Sequence, residues 1–328
     1  MSIQASAEQP QKAMGRRKGG WRLAGRVLLT LVMLLVATEA LLRFGLGLGN
    51  PVLIAPDAAC SYITKPNQNV FRFFVHTYIN RYGMRSEDIS PERPAGVERV
   101  LFVGDSITYG TTHVDQQKLF TQIVQQRLPS IVHSPVQVLN ASADAWAIDN
   151  EWSWVRSRGI FQSNFVLLVV NDGDLTQPRA TITQVGDALP QAKPATAIGE
   201  LYTRFIAPRV LHITPRSDAG DEVIPDDTAM RENLRDLVQF HELVASQGGR
   251  MVLVYLPFRD DLPAVAAPAQ TAFRSWSAAN NVPMIDLTNT LAAHPLSQIC
   301  ILGSHLSAEG NAFVGQAILK AWSSVIQP

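Results

Sequence analysis

Five short, mostly apolar runs recur through the chain, at 99–103, 136–139, 165–170, 250–255 and 283–287. All five read as strands, and the first, Val100-Leu101-Phe102-Val103, is apolar enough to predict one buried on both faces. Between and after them the period changes. Apolar residues recur at three- and four-residue spacing in 117–128, 148–158, 228–247, 271–280 and 308–325, and this predicts helices. In 228–247 the predicted apolar face comprises Met230, Leu234, Leu237, Val238, His241 and Val244, with Phe240 off it. Strands alternating with helices predict an α/β fold: a mostly parallel five-stranded sheet, right-handed crossovers and helices on both faces.

The N-terminal pattern is of another kind. Lys12, Arg16, Arg17, Lys18, Arg22 and Arg26 precede an uncharged apolar run at 27–38. Continued through Ala40, Leu41, Leu42, Phe44 and Leu46, that run approaches the roughly 20 residues a bilayer core demands, with Glu39 and Arg43 paired at i,i+4 or lying at the far interface. Basic residues in front and few behind orient the N-terminus to the cytoplasm and the body outward. The predicted organisation is a basic cytoplasmic segment 1–26 and a transmembrane anchor 27–48. A tether and lead-in at 49–98 follow, with a β-like run at 70–75, and then a domain at 99–328. A basic n-region and a short apolar h-region also describe a signal peptide, with Thr38-Glu39-Ala40 as its cleavage site. The expected location is the inner (cytoplasmic) membrane, single-pass, with the domain on the periplasmic or extracellular side. Within the domain, 175–225 is proline-rich, weakly periodic and carries one short predicted helix at 198–206, so it reads either as a substrate-shaping lid or as a plain surface excursion.

Composition narrows the classes. The 328 residues, 46% hydrophobic, suffice for one large α/β domain plus extensions. Lys plus Arg equals Asp plus Glu at 28 each, which provides no overall field to attract nucleic acid. Export makes Cys60 and Cys300 a candidate disulfide. The seven histidines are scattered singly and offer no metal-ligand spacing, and no cofactor is implied.

The first apolar run ends in Gly104-Asp105-Ser106, which sets a hydroxyl at the carboxyl end of a parallel strand, where open α/β sheets bind ligands. A serine nucleophile needs a base, and His305 stands in a loop just before a helix that Ser307 can cap. His241 reads as a packed core residue, and His76, His113, His133, His212 and His294 as surface or loop residues. Asn171 closes the third run, and its amide is a candidate oxyanion donor or simply a turn former. The second run ends in Asn140-Ala141-Ser142-Ala143-Asp144-Ala145-Trp146.

Together these blocks resemble the SGNH, or GDSL-type, serine hydrolase family, with His305-Leu306-Ser307 and Gly310 as its histidine block. Upstream, Asn80-Arg81-Tyr82-Gly83-Met84-Arg85 is similar to the lead-in of membrane-anchored or exported bacterial members. The resemblance implies a three-layer α/β/α sandwich with a flavodoxin-like sheet. It implies Ser106 as nucleophile, His305 as base, and the Ser106 N–H, Asn171 and the Ala145 backbone as the oxyanion hole. Two positions depart from the pattern. Leu302 stands where the family has the acid of its triad, leaving Asp260 and Asp261 as candidate substitutes and Asp286 as a structural residue. Ala145 stands where the family has glycine, so its donor is expected to survive only if the backbone there is right-handed or extended. The function implied is an exported, membrane-anchored esterase removing O-acyl groups, acetyl above all, from a carbohydrate or cell-envelope substrate. The alternatives are an O-acyltransferase on an exported polysaccharide and a non-catalytic glycan-binding or scaffold protein.

Overall fold

The computed structural model describes residues 18–185, 190–211, 227–257, 268–303 and 305–326. Four short strands come first, as two antiparallel hairpins: β1 (Ile54–Asp57) with β2 (Ser61–Thr64), and β3 (Gln68–Arg72) with β4 (Val75–Ile79). The central strand β5 (Glu98–Gly104) pairs with β6 (Val136–Ser142) on one side and β7 (Phe165–Val170) on the other. Beyond β7 lie β8 (Arg250–Tyr255) and β9 (Met284–Asp286), giving the order β6-β5-β7-β8-β9 with every pair parallel. A last hairpin joins β10 (Cys300–Leu302) to β11 (His305–Leu306).

Helix α1 (Lys18–Ala40) precedes all the strands. Helices α2 (Ser106–Tyr109), α3 (Phe120–Arg127) and α4 (Ile148–Arg158) follow the first sheet strands. The helical run α5 comprises Ala197–Glu200, Leu201–Ile206 and Ala207–Val210. Helices α6 (Asp227–Ser246), α7 (Pro268–Ala279) and α8 (Ala308–Ala321) complete the fold.

Alternation along β5 divides the interior in two. Leu101 and Val103 face a core built with Trp152, Val155, Leu237, Phe240 and Phe273, from α4, α6 and α7. Val100 and Phe102 face the other, built with Phe120, Val124, Val314 and Ile318, from α3 and α8. The result is a three-layer α/β/α sandwich. Each fully buried side chain of this size stabilises it by about 1.5–3 kcal/mol.

The strand order has a physical consequence. The chain leaves β5, forms β6 on one side and crosses to β7 on the other, so the crevice at the carboxyl ends of β5 and β7 is the topological switch point. Ser106 and Asn171 are placed there by the residues that end those two strands.

Several expectations are revised. The 70–75 run is split by a turn at Phe73 and Phe74, which reverses β3 into β4. Phe240 is fully buried and packs in a tilted pair with Trp152, ring centroids 6.3 Å apart, whereas His241 is half-buried. The face of α6 is rotated because Asn233 is drawn inward, donating to the carbonyls of Asp174, Leu175 and Gln177 at 2.9–3.0 Å. The supposed tether is packed: Leu48, Leu53 and Ile54 are buried. Within the insertion, α5 docks on the end of α1, while residues 186–189 and 212–226 lie outside the described set. Glu39 and Arg43 do pair, at 2.7 Å.

No bridge joins Cys60 and Cys300, which correct the disulfide expectation: they belong to the two cores on opposite faces of the sheet. Cys60 Sγ instead lies 3.3 Å from Asp57 Oδ1, and burial pushes its thiol up to about 12.

Candidate active site

The Gly-Asp-Ser turn is short because each residue has a local task. Gly104 lets α2 fold back on its strand, since a Cβ there would come within 2.2 Å of Thr108 Oγ1. Asp105 caps α2 by accepting from the Ile107 N–H at 2.8 Å. Ser106 is then the first helical residue, its Oγ at the strand end. On the far side of the crevice, Ser307 caps α8 by accepting from the Gly310 N–H at 3.0 Å. Asn311 accepts from the Phe120 N–H at 2.9 Å, which ties the start of α8 to the start of α3. These contacts hold β11 over the crevice, and His305 Nε2 lies 2.9 Å from Ser106 Oγ across 199 residues of chain.

Asn171 is fixed in three ways: its Nδ2 donates to Asp105 Oδ2 at 3.0 Å, its N–H to Asp174 Oδ2 at 2.7 Å, and its Oδ1 accepts from the Gly173 N–H at 2.8 Å. The Asn171 side chain also favours the charged form of Asp174, so its amide is held between the two carboxyls at the strand end. Asn140 is buried beneath α2 and donates to the Thr108 carbonyl at 2.8 Å.

Ala145 overturns the condition set for it. Its φ is +60°, the left-handed conformation glycine would take, and not a right-handed or extended one. The surrounding turn enforces it. Gln177 Nε2 donates to the Ala145 carbonyl at 3.0 Å, Tyr62 Oη to the Asp144 carbonyl at 2.5 Å, and Trp146 Nε1 to the Tyr62 carbonyl at 3.1 Å. Alanine costs about 1 kcal/mol in that conformation. Ala145→Gly is therefore expected to change stability by less than about 1 kcal/mol and to leave turnover unaltered, since the backbone is already where glycine would put it. Chemical denaturation and steady-state kinetics check both.

The acid of the usual triad has no equivalent at its place. Leu302 stands opposite His305 in the β10–β11 pair. Asp260 and Asp261 lie outside the described residues. Asp286 is held by Arg274 at 2.6 Å and by Gln270 at 2.8 Å, a structural role. Sequence reasoning missed a different feature: Asp105, Asp174 and Glu151 form a buried acidic group behind the serine. Burial pushes all three carboxyls upward, and mutual repulsion raises Glu151 and Asp174 further, whereas His305 and the α2 backbone amides favour the charged form of Asp105. Among the described residues, neither Glu151 carboxyl oxygen has a hydrogen-bond partner. The signal was present in α4, where Glu151 shares a face with Ile148, Trp152 and Val155.

A raised folded value means the native state binds the proton more tightly than the unfolded chain does. This contribution is present below the ordinary glutamate range and is lost as pH rises through the folded value. Glu151→Met is expected to stabilise the protein by about 1–3 kcal/mol at neutral pH, the recovery of an unsatisfied buried acceptor, and by less in acid. Denaturation curves at the two pH values check it; a gain that is larger in acid would contradict it.

No family model and no curated protein matches the chain. Among solved structures it is similar to a member of the lipolytic G-D-S-L family from Veillonella parvula DSM 2008, at 18% identity over 70% of this chain and 100% of that one, TM-score 0.45. It is also similar to the lipase/acylhydrolase from Enterococcus faecalis, at 16% identity over 69% and 95%, TM-score 0.44. An acetyl xylan esterase matches at 16% identity over 68% and 98%, TM-score 0.44. In this chain the blocks at 104–106, 140–146, 171–172 and 305–310 meet at one edge of a parallel sheet, and in those blocks and that layering it is similar to the SGNH, or GDSL-type, hydrolases.

Proposed function

We propose that this chain is a serine ester hydrolase, held at a membrane by α1, that removes small O-acyl groups such as acetyl from a carbohydrate or cell-envelope substrate. The observation that carries the reading is the 2.9 Å contact between Ser106 Oγ and His305 Nε2 at the switch-point crevice. A serine hydroxyl becomes a competent nucleophile when an imidazole in hydrogen-bond reach takes its proton.

In the proposed cycle Ser106 Oγ attacks the ester carbonyl while His305 accepts the proton. The oxyanion of the tetrahedral intermediate is met by the Ser106 N–H, the Asn171 side-chain amide and the Ala145 N–H. His305 then protonates the departing sugar oxygen, leaving an acyl group on Ser106. Water, deprotonated by His305, attacks that ester, and the intermediate collapses to release the free acid as His305 returns the proton to Ser106 Oγ. Asp105 supports the arrangement twice, by capping α2 and by fixing Asn171.

The reading of α1 as an anchor is supported by the helical stretch Gly20–Gly45, whose most apolar 18 residues have a mean hydropathy of 2.1. A domain tethered beside the membrane meets envelope polymers at high local concentration, which favours a polymeric or lipid-linked substrate over a small soluble ester. A second reading has its own observation. Leu302 opposite His305 fits a protein that has kept the fold to bind glycans and lost turnover.

Acetate release from acetylated oligosaccharides and from an aryl acetate separates the two. The hydrolase reading expects release by the wild type and none above background by Ser106→Ala. Equal background release by both would leave only binding.

A further inference from the structure

The end of α1 is built into the domain. Glu39 accepts from the Ala197 and Ile198 N–H groups at 2.8 and 3.0 Å, capping the first turn of α5, and Arg43 donates to the Ala195 carbonyl at 3.2 Å. Buried Arg72, at the end of β3, pairs with buried Glu200 at 2.7 Å. Leu42, Leu48 and Ala197 form a small core with Leu201 and Phe205 packed against it. Helix, hairpin and insertion therefore meet where α1 ends.

Around that point the surface is apolar. Tyr202, Ile206 and Val210 share one stripe of α5 at four-residue spacing and are all exposed, Val210 at 67%. The stripe lies beside the partly buried pair Leu201 and Phe205 and is flanked by Arg204 and Arg209. The β3–β4 turn sits against it, with Phe73 edge-on to Phe205 at 5.8 Å. Its two residues, Phe73 and Phe74, have φ of +48° and +64°, a conformation in which two-residue hairpins favour Asn-Gly. Phe74 is 74% exposed. Phe44, in the turn that ends α1, is exposed as well. An aromatic pair at a strained, solvent-facing turn, a basic-flanked apolar stripe and the end of an apolar helix are the features of a surface seated in a lipid headgroup layer.

We propose that the hairpin tip and the α5 stripe insert into the surface of the bilayer that α1 spans, so that the domain lies on the membrane at a fixed attitude. This rests on the reading of α1 as a membrane span. The occupant follows from continuity, because any bilayer crossed by α1 has its surface where α1 ends, beside Phe44, Phe74 and Tyr202. The consequence reaches the site. Ile79, at the other end of the hairpin, and Val70, midway along it, pack against Tyr109, the last residue of α2, so the nucleophile helix stands within about one hairpin length, on the order of 15 Å, of the lipid surface.

The test uses the full chain in vesicles of phosphatidylcholine and phosphatidylglycerol, with Cys60→Ala and Cys300→Ala as background. Spin labels are placed singly through Met33→Cys, Phe74→Cys, Val210→Cys and, on an exposed part of α3, Gln126→Cys. Collision with oxygen, which partitions into lipid, is compared with collision with a water-soluble nickel chelate. Labels at 33, 74 and 210 are expected to favour oxygen severalfold, and the label at 126 to favour nickel. A lipid-like label at 33 with water-like labels at 74 and 210 would overturn the proposal and leave the anchor standing. Labels at 74 and 210 shielded from both reagents would overturn it in favour of a protein cover. A water-like label at 33 would remove the anchor reading, and this proposal with it.

Discussion

His305→Ala is expected to lower turnover of an aryl acetate by roughly 10⁴- to 10⁶-fold, because without the imidazole the Ser106 hydroxyl is no stronger a nucleophile than water. Ser106→Ala should fall into the same range, and the double variant should be no worse than either, since the two side chains act as one unit joined by the 2.9 Å contact. His305 is half-buried, at the end of a two-residue strand, so its removal is expected to shift stability by no more than about 1 kcal/mol. Steady-state kinetics and denaturation on the same preparations separate lost chemistry from lost fold. Additive losses in the double variant would mean that serine and histidine act independently.

The largest expected effect on stability lies outside the crevice, at Arg85. Its side chain is fully buried, and among the described residues no carboxylate pairs with it. It donates to the carbonyls of Tyr109 and Val114, each at 2.7 Å, to the carbonyl of Thr111, and to Gln116 Oε1 at 3.2 Å. Arg85 thus pins the loop that leaves the nucleophile helix, and it comes from the Asn-x-x-Gly-x-Arg lead-in, where Asn80 folds the turn by accepting from the Tyr82 and Met84 N–H groups. Arg85→Met would strip three buried carbonyls of their donor at about 1–3 kcal/mol each, partly offset by the methionine's packing, for a net loss of about 3–5 kcal/mol. Arg85→Lys should recover only part of this, because an ammonium cannot reproduce the planar fork. Urea denaturation of the two variants measures both quantities.

Much of the fold was legible because parallel strands buried on both faces read as continuous apolar runs: the bounds of β7 and β8 match those predicted. The Gly-Asp-Ser and Ser-His-Leu-Ser segments were legible for a local reason, since each is a strand end followed by a helix cap. What was hidden depends on contacts between distant segments. The run at 70–75 conceals a hairpin because two phenylalanines occupy a turn that sequence rules assign to Asn and Gly. Phe240 was placed off its helix face because three carbonyls from the chain after β7 capture Asn233 and rotate α6. Ala145 adopts the conformation of the glycine it replaces because Gln177, Tyr62 and Trp146 clamp the turn, a cost no local rule anticipates. The three buried carboxyls lie at 105, 151 and 174, and only the sheet brings them together.

Everything functional rests on Ser106 being activated by His305. A fluorophosphonate that reacts only with activated serines, followed by intact mass and peptide mapping, reads this without knowledge of the natural substrate. The expected result is a single adduct on Ser106, formed more than about 100-fold more slowly in His305→Ala. Labelling of Ser106 at the same slow rate in both proteins would contradict it.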